Sequence, residues 1–456
     1  MNLKVLIISA LAGLLFGCGG GEPSSTVEPT VIVPPPAPVV PPEPVHILFV
    51  GNSYTFGRVA PAMQYNNANV TDMTAGFNAI SPATNSYPLG SGIEPAPCVV
   101  TTTTGIGCFE PKPWGGVPGI FKALTDQAEL NYVVSLSTRN AATLRGHFLN
   151  TGDDKWDLRG NIASKKWDVV VLQGQSDEPL PRTKSKNGNP VSFNTYASVI
   201  QQYVHSGAGG TTTESIIFGS NANCRAGVTA TVAGPGLSNG NCNTVRNIQT
   251  NTFANPDAKV YLMQTWARPD MVEAHKCTAA DQTKLNGAPK VDPSCDAGGN
   301  GSTTTGMNNL FYTSKTTTTA NLADMTADMH NTFNSLAATT TTTGQLRFAG
   351  VVPVGNAFQH AVNSTVVKGS GFYKPDGTYD DSGSLMNLWW IDSTHASVYG
   401  SYLSALVSFG RITGLDPARF GGSEKAAMDL SISPANAMTL QRMAKETLVA
   451  AGLVLR

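Results

Sequence analysis

The residues best suited to chemistry stand near opposite ends of the chain. Ser53 lies in Phe49-Val50-Gly51-Asn52-Ser53-Tyr54-Thr55, directly after an apolar run that reads as a strand. A serine on a turn at a strand's carboxyl end can be approached by substrate, although the same place also suits a serine that caps the next helix. Asp392 and His395 lie in Trp389-Trp390-Ile391-Asp392-Ser393-Thr394-His395-Ala396-Ser397. An Asp three residues before a His can set its carboxylate on the far nitrogen of the imidazole. That fixes the tautomer and supports the imidazolium as it forms. A capping Asp beside a surface His has the same spacing, so neither block decides the matter alone. Together they supply a nucleophile, a base and an orienting acid, three of the four requirements for acyl transfer through a covalent intermediate. The fourth is a set of donors for the developing oxyanion.

The two blocks resemble those of the SGNH, or GDSL-type, hydrolases. Gly51-Asn52-Ser53 is similar to the family's Gly-Asp-Ser at the first strand. Asp392-Ser393-Thr394-His395 is similar to its terminal Asp-x-x-His, and Gly400-Ser401-Tyr402-Leu403 continues that block. The resemblance implies Ser53 as nucleophile, His395 as base and Asp392 as its partner, with a pH–rate profile rising near an ordinary histidine value of about 6–7. It implies an oxyanion hole from Ser53, Ala141 and Gln175. Ala141, in Arg139-Asn140-Ala141-Ala142, takes the place of a family glycine whose backbone N–H donates. Gln175, in Leu172-Gln173-Gly174-Gln175-Ser176, takes the place of an asparagine and carries the same amide on a longer arm. The fold implied is α/β, a flavodoxin-like three-layer sandwich around a central, mainly parallel five-stranded sheet. No metal or other cofactor is expected.

The elements that must position these residues are partly legible. Continuous apolar, β-branched runs occur at 46–50, 132–134, 167–172, 215–219, 259–263 and 348–354. Such runs suit strands buried on both faces, as in a parallel sheet covered by helices. Between the last runs, Leu322, Met325, Met329 and Phe333 recur at helical spacing. Ser433-Pro434 reads as an N-cap with proline at the first helical position, and the helix it opens runs to about Ala451, before Gly452. Strands alternating with helices give an α/β class, whose chemistry gathers beyond the strands' carboxyl ends. The hydrolase domain is read as 46–456, with insertions at about 73–118, 221–250 and 268–318 and a C-terminal helical extension at about 416–456.

The amino-terminal end reads as an export signal. Lys4 precedes the apolar stretch Leu6–Phe16, which is too short for a permanent membrane span, so 1–17 is read as a signal peptide. Leu15-Phe16-Gly17-Cys18 resembles a bacterial lipobox, with Cys18 the lipidated residue. Gly19 in place of Asp favours the outer membrane. Residues 18–45 are then a semi-rigid Pro/Gly-rich tether from the lipid to the folded part. The expected location is the cell envelope, held by the lipid.

Six cysteines remain, Cys98, Cys108, Cys224, Cys242, Cys277 and Cys295, one couple in each long insertion. Six thiols allow fifteen pairings. The even count, the export signal and the close spacing within each couple favour three local disulfides over zinc, whose short Cys–Cys spacing and His pair are missing. With 13% charged residues and a formal net charge of −1, a basic surface for nucleic acid is not expected.

The function implied is hydrolysis of O-acyl esters, on a small-molecule or polymeric substrate. A carbohydrate (acetyl) ester is favoured over a long-chain lipid or polyester, with Phe56, Trp114, Trp266, Trp389 and Trp390 as candidate stacking or groove residues. The opposing class is a surface binding protein that keeps the fold without the chemistry.

Overall fold

The protein is described by a computed structural model covering residues 43–75, 86–87, 99–100, 108–109, 113–139, 142–149, 158–185, 187–228, 242–276, 284–285, 288–289 and 310–456. The signal peptide, Cys18, most of the linker, Cys98, Ala141, Cys277 and Cys295 lie outside the described residues, and Cys108 is described in its backbone alone.

The architecture is α/β, a parallel sheet flanked by helices. Its strands are β1 (Val45–Gly51), β2 (Thr71–Asp72), β3 (Tyr132–Thr138), β4 (Val169–Leu172), β5 (Lys259–Met263) and β6 (Gly350–Val352). They lie in the order β6-β5-β4-β1-β3-β2. Every pairing is parallel. The sheet therefore has six strands rather than five. The additional one is a two-residue edge strand, Thr71–Asp72, with no apolar run to announce it. Central β1 and β4 are enclosed: every residue of β4 is buried, and in β1 Ile47, Leu48 and Phe49 are fully buried. Side chains shielded on both faces explain why this run lacks alternation.

One expected strand is a helix instead. Residues 214–217 form a single helical turn in which Thr213 is the N-cap, its hydroxyl accepting from the Ile216 N–H. Glu214 there is buried and takes both Arg145 Nε, at 2.7 Å, and Nη2, at 2.6 Å. Ile216 is 67% exposed, which no central strand would allow. The short apolar run Ile216-Ile217-Phe218 cannot separate helix from strand; the cap and the ion pair decide it.

The helices used below are α1 (Ser53–Phe56), α2 (Gly116–Gln127), α3 (Leu144–Leu149), α4 (Pro190–Ser206), α5 (Thr318–Ala337), α6 (Val354–Asn363), α7 (Val398–Thr413) and α8 (Pro434–Ala450). In α5 the four spaced apolar residues are all fully buried, and Phe333 meets Phe193 of α4. Ser433 caps α8 as its sequence indicates. That helix packs on α7 at Gly410, where an added Cβ would come within 2.4 Å of Leu448 Cδ1. Cys224 and Cys242 form a disulfide across the second insertion.

Candidate active site

Strand β1 lies between β3 and β4, and the chain runs to β2 and β3 on one side before crossing to β4 on the other. The carboxyl end of β1 is thus the sheet's topological switch point, where two loops diverge and leave a crevice. Gly51 ends the strand there. A Cβ on it would sit 2.1 Å from Thr55 Oγ1 and 2.7 Å from Gln173 Oε1, so only glycine fits.

Asn52 holds the turn together. Its Nδ2 donates to Ala142 O at 3.1 Å and Gly174 O at 3.0 Å, while its Oδ1 accepts from the Tyr54 N–H. One amide thereby ties the ends of β1, β3 and β4. An aspartate, as in the family block, would set a carboxylate oxygen against two carbonyls. Gln173 completes the brace, since its Oε1 accepts from Asn52 N and Thr55 Oγ1, each at 2.9 Å. His147 of α3 is buried and donates through Nε2 to Gly51 O at 2.9 Å, so it is structural. Ser53 opens α1 from this fixed turn, and its N–H has no intrahelical acceptor at that position.

His395 arrives on the loop between α6 and α7. Asp392 organises that loop through one oxygen: Oδ1 accepts from Thr394 N at 3.0 Å and His395 N at 2.9 Å. The turn carries Ser393 at φ 54°, a left-handed value that its surroundings must enforce. Oδ2 is left for His395 Nδ1, at 2.6 Å. With the proton on Nδ1, Nε2 accepts from Ser53 Oγ at 2.8 Å. Ser53 and the Asp392–His395 pair, separated by most of the chain, thus form a continuous relay. Ser53 and His395 are only 5% and 7% exposed, more enclosed than a serine on an open turn.

A second set of contacts anchors Thr394, next to the base. Its carbonyl accepts from Tyr54 OH at 2.8 Å and Trp266 Nε1 at 3.0 Å, and its hydroxyl accepts from Arg268 Nη2 at 3.1 Å. Tyr54 stacks on Trp266 with centroids 4.1 Å apart, and Trp266 stacks in turn on Phe358 of α6. Buried Arg268 pairs with Asp270 and lies 3.9 Å from Asp177. Of the five aromatic candidates, Phe56, Trp114, Trp266 and Trp389 belong to the core, and Trp390 alone is partly exposed.

Gln175 is placed with its carbonyl end turned inward. Oε1 accepts from Asp177 N at 3.1 Å and Glu178 N at 3.0 Å, and Nε2 has one long contact, 3.4 Å to Ser176 Oγ. The side chain therefore caps the turn after β4 and keeps donor capacity at Nε2.

Charge within the site is uneven. Burial pushes the His395 pKa down, Asp392 pulls it back up, and the cations Arg58 and Arg268 lower it again, to about 4. Burial works to raise the Asp392 carboxyl, yet the adjacent His395 and the Arg58 charge hold it well below the usual carboxylate range. Arg58 is the part of the site that sequence reasoning missed. Its Nη1 is 3.2 Å from His395 Nε2, and no motif marks a residue five positions after the serine. Gln173 and Arg268 were missed likewise, since their partners are remote in sequence.

No family model matches the chain, and no curated protein does. Among solved structures it is similar to a DUF4886 family protein from Bacteroides uniformis, at 10% identity and a TM-score of 0.40, over 90% of this chain and 97% of that one. It is also similar to a candidate SGNH hydrolase from Slackia heliotrinireducens, at 13% identity and a TM-score of 0.33, over 81% of this chain and 100% of that one. Likeness of this degree assigns no chemistry, and the functional case rests on the side chains above.

Proposed function

We propose that the chain is a serine hydrolase that cleaves O-acyl esters through an acyl-enzyme. The supporting observation is the relay from Ser53 Oγ through His395 Nε2 and Nδ1 to Asp392, at 2.8 and 2.6 Å. Ser53 Oγ attacks the carbonyl carbon while His395 Nε2 takes its proton. Asp392 stabilises the imidazolium without itself taking the proton. The carbonyl π electrons move to oxygen, which the N–H groups of Ser53 and Ala141 and the Gln175 amide receive. Collapse expels the alcohol, protonated by His395. Water, deprotonated by the same nitrogen, then releases the acid and restores Ser53.

A short acyl group on a carbohydrate is the favoured substrate. Among the described exposed large apolar side chains, only Leu385 and Ile391 belong to the segment that carries His395, whereas a long chain needs an extended apolar surface. Lipid attachment at Cys18 and a place in the bacterial envelope complete the reading. Loss of fatty-acid labelling and of membrane pelleting in Cys18→Ser would support it, and retention would refute it.

Labelling with a fluorophosphonate separates the enzyme from a binding protein on the same fold, because only an activated serine reacts. Wild-type protein is expected to label, and Ser53→Ala to lose labelling and ester turnover with its fold intact. His395→Ala should be nearly as severe, and Asp392→Asn less so. Turnover that survives in Ser53→Ala would overturn the proposal.

A further inference from the structure

Tyr54 directly follows Ser53, and its two ends are held by different segments. Its N–H donates to Asn52 Oδ1 at 3.0 Å, within the brace at the end of β1. Its hydroxyl donates to Thr394 O at 2.8 Å, one residue before His395. The Ser176 hydroxyl, one residue after Gln175, lies beside the same phenol oxygen. The chain neighbours of Ser53, His395 and Gln175 thus converge on one buried hydroxyl.

The ring is fixed as firmly as its ends. It stacks on Trp266 with centroids 4.1 Å apart, and Trp266 stacks on Phe358 at 4.7 Å. The imidazole of His395 lies 5.6 Å from the Tyr54 ring, tilted by 59°. Burial pushes the phenol pKa far above its ordinary value, and the opposing pull of Arg268 and Ser176 does not restore it. The hydroxyl therefore keeps its proton and remains a donor to Thr394 O.

Neither segment that Tyr54 joins can hold itself. Helix α1 is a single turn of four residues, far below the length at which a helix is stable alone. The base stands on an irregular loop whose turn carries left-handed Ser393. Proton transfer nevertheless needs Ser53 Oγ and His395 Nε2 to keep their 2.8 Å.

Building on the serine hydrolase reading, we propose that Tyr54 is a positioning residue whose hydroxyl, with the Trp266 indole, pins the Thr394 carbonyl and so sets the distance between Ser53 and His395. The phenol takes no part in the proton transfer, because its own proton is engaged by Thr394 O. Trp266 Nε1 shares that carbonyl at 3.0 Å, so loss of the hydroxyl leaves the acceptor satisfied while loosening the loop from α1. Tyr54→Phe isolates the tie, since the ring and the apolar area it buries both remain.

The test compares full-length wild type and Tyr54→Phe in fluorophosphonate labelling of Ser53 at pH 8, where His395, with a pKa of about 4, is neutral. The limiting rate and the probe concentration that gives half of it are read separately. Tyr54→Phe is expected to lower the limiting rate about 10–100-fold, the range for a displacement of up to about 1 Å in reacting groups, with the half-saturating concentration unchanged. Tyr203→Phe is the matched control, since it removes a phenol bond to another backbone carbonyl, Gln249 O at 2.9 Å, from α4. It should lower the melting temperature to a similar extent and leave the limiting rate unchanged. If Tyr54→Phe does not fold, Trp266→Phe, which deletes the other donor to Thr394 O, is read in the same way and should show the same fall. An unchanged limiting rate, a rise in half-saturating concentration alone, or an equal fall in Tyr203→Phe would overturn the proposal. In those cases wild-type Ser53 is still labelled and the hydrolase reading stands; absence of labelling in wild type overturns both.

Discussion

The acid limb of reactivity follows directly from the surroundings of His395. The base must be neutral to accept the Ser53 proton, so activity falls as pH drops through its pKa. An ordinary histidine titrates near 6.5, and burial with Arg58 and Arg268 nearby, partly offset by Asp392, pushes this one down to about 4. At pH 5.5 a group with a pKa of about 4 is about 97% neutral, whereas one at 6.5 is about 10% neutral. The rate of fluorophosphonate labelling at pH 5.5 should therefore stay close to its neutral plateau, where an unperturbed base would leave about a tenth of it. Arg58→Met removes one depressing charge and should move the limb upward. The fold sets a lower bound to the experiment. His147 is also held near 4 by burial, against the pull of its bond to Gly51 O and with Arg139 adding to the shift. Both imidazoles have folded pKa values below their unfolded ones. The stability they contribute is complete above about pH 6.5 and is lost as pH falls toward 4. Circular dichroism at each pH separates unfolding from protonation of the base. A wild-type limb centred at 6.5–7, in folded protein, would refute the reasoning.

Other perturbations test the frame around the site. Asn52→Asp replaces two donated hydrogen bonds by a buried carboxylate facing Ala142 O and Gly174 O, and should cost about 2–4 kcal/mol in denaturant unfolding; an unchanged midpoint would count against the brace. Gln175→Ala removes the acceptor for two backbone N–H groups and should destabilise by about 1–2 kcal/mol. If its Nε2 also serves the oxyanion, kcat falls by about 10²–10³ as well, and a destabilised variant with unchanged kcat would reduce Gln175 to a cap. Cys224→Ser opens the 18-residue separation closed by its disulfide and should lower stability by about 3 kcal/mol under oxidising conditions, with wild type and variant converging in reductant.

How far the fold was legible depended on where each element lies in the sheet. Strands β1, β4 and β5 announce themselves because both of their faces are covered, leaving little place for polar residues. Helix α5 was visible through the spacing of Leu322, Met325, Met329 and Phe333, and α8 through its Ser-Pro start. Thr71–Asp72 could not be seen, since a two-residue edge strand holds no pattern. Its Asp72 acts instead through side-chain bonds to Thr74 and the Trp114 N–H. The turn at 214–217 misled because its identity depends on Glu214 meeting Arg145, a contact across 69 positions.

The site shows the same division more sharply. Ser53, Asp392 and His395 could be picked out as candidates because acyl transfer, the chemistry proposed, demands those residue types, and the structure brings them within hydrogen-bonding distance. What holds them in register has no such signature. The buried Arg268–Asp270 pair is a poor means of stabilising a fold, since desolvation of both ions offsets their attraction. Its position explains it better: Arg268 reaches Thr394 and Ser176, and so couples the base-bearing loop to the turn after β4. On the opposite side, Gln173 and Asn52 fix the nucleophile's turn to the ends of β3 and β4. Ser53 and His395 are thus each clamped to the turn after β4, by different groups. A relay of 2.8 and 2.6 Å between segments so distant in sequence requires such double fixing, because a displacement of 1 Å in reacting groups can cost a factor of about 10² in rate. The charges and amides beneath the site are there to hold that distance.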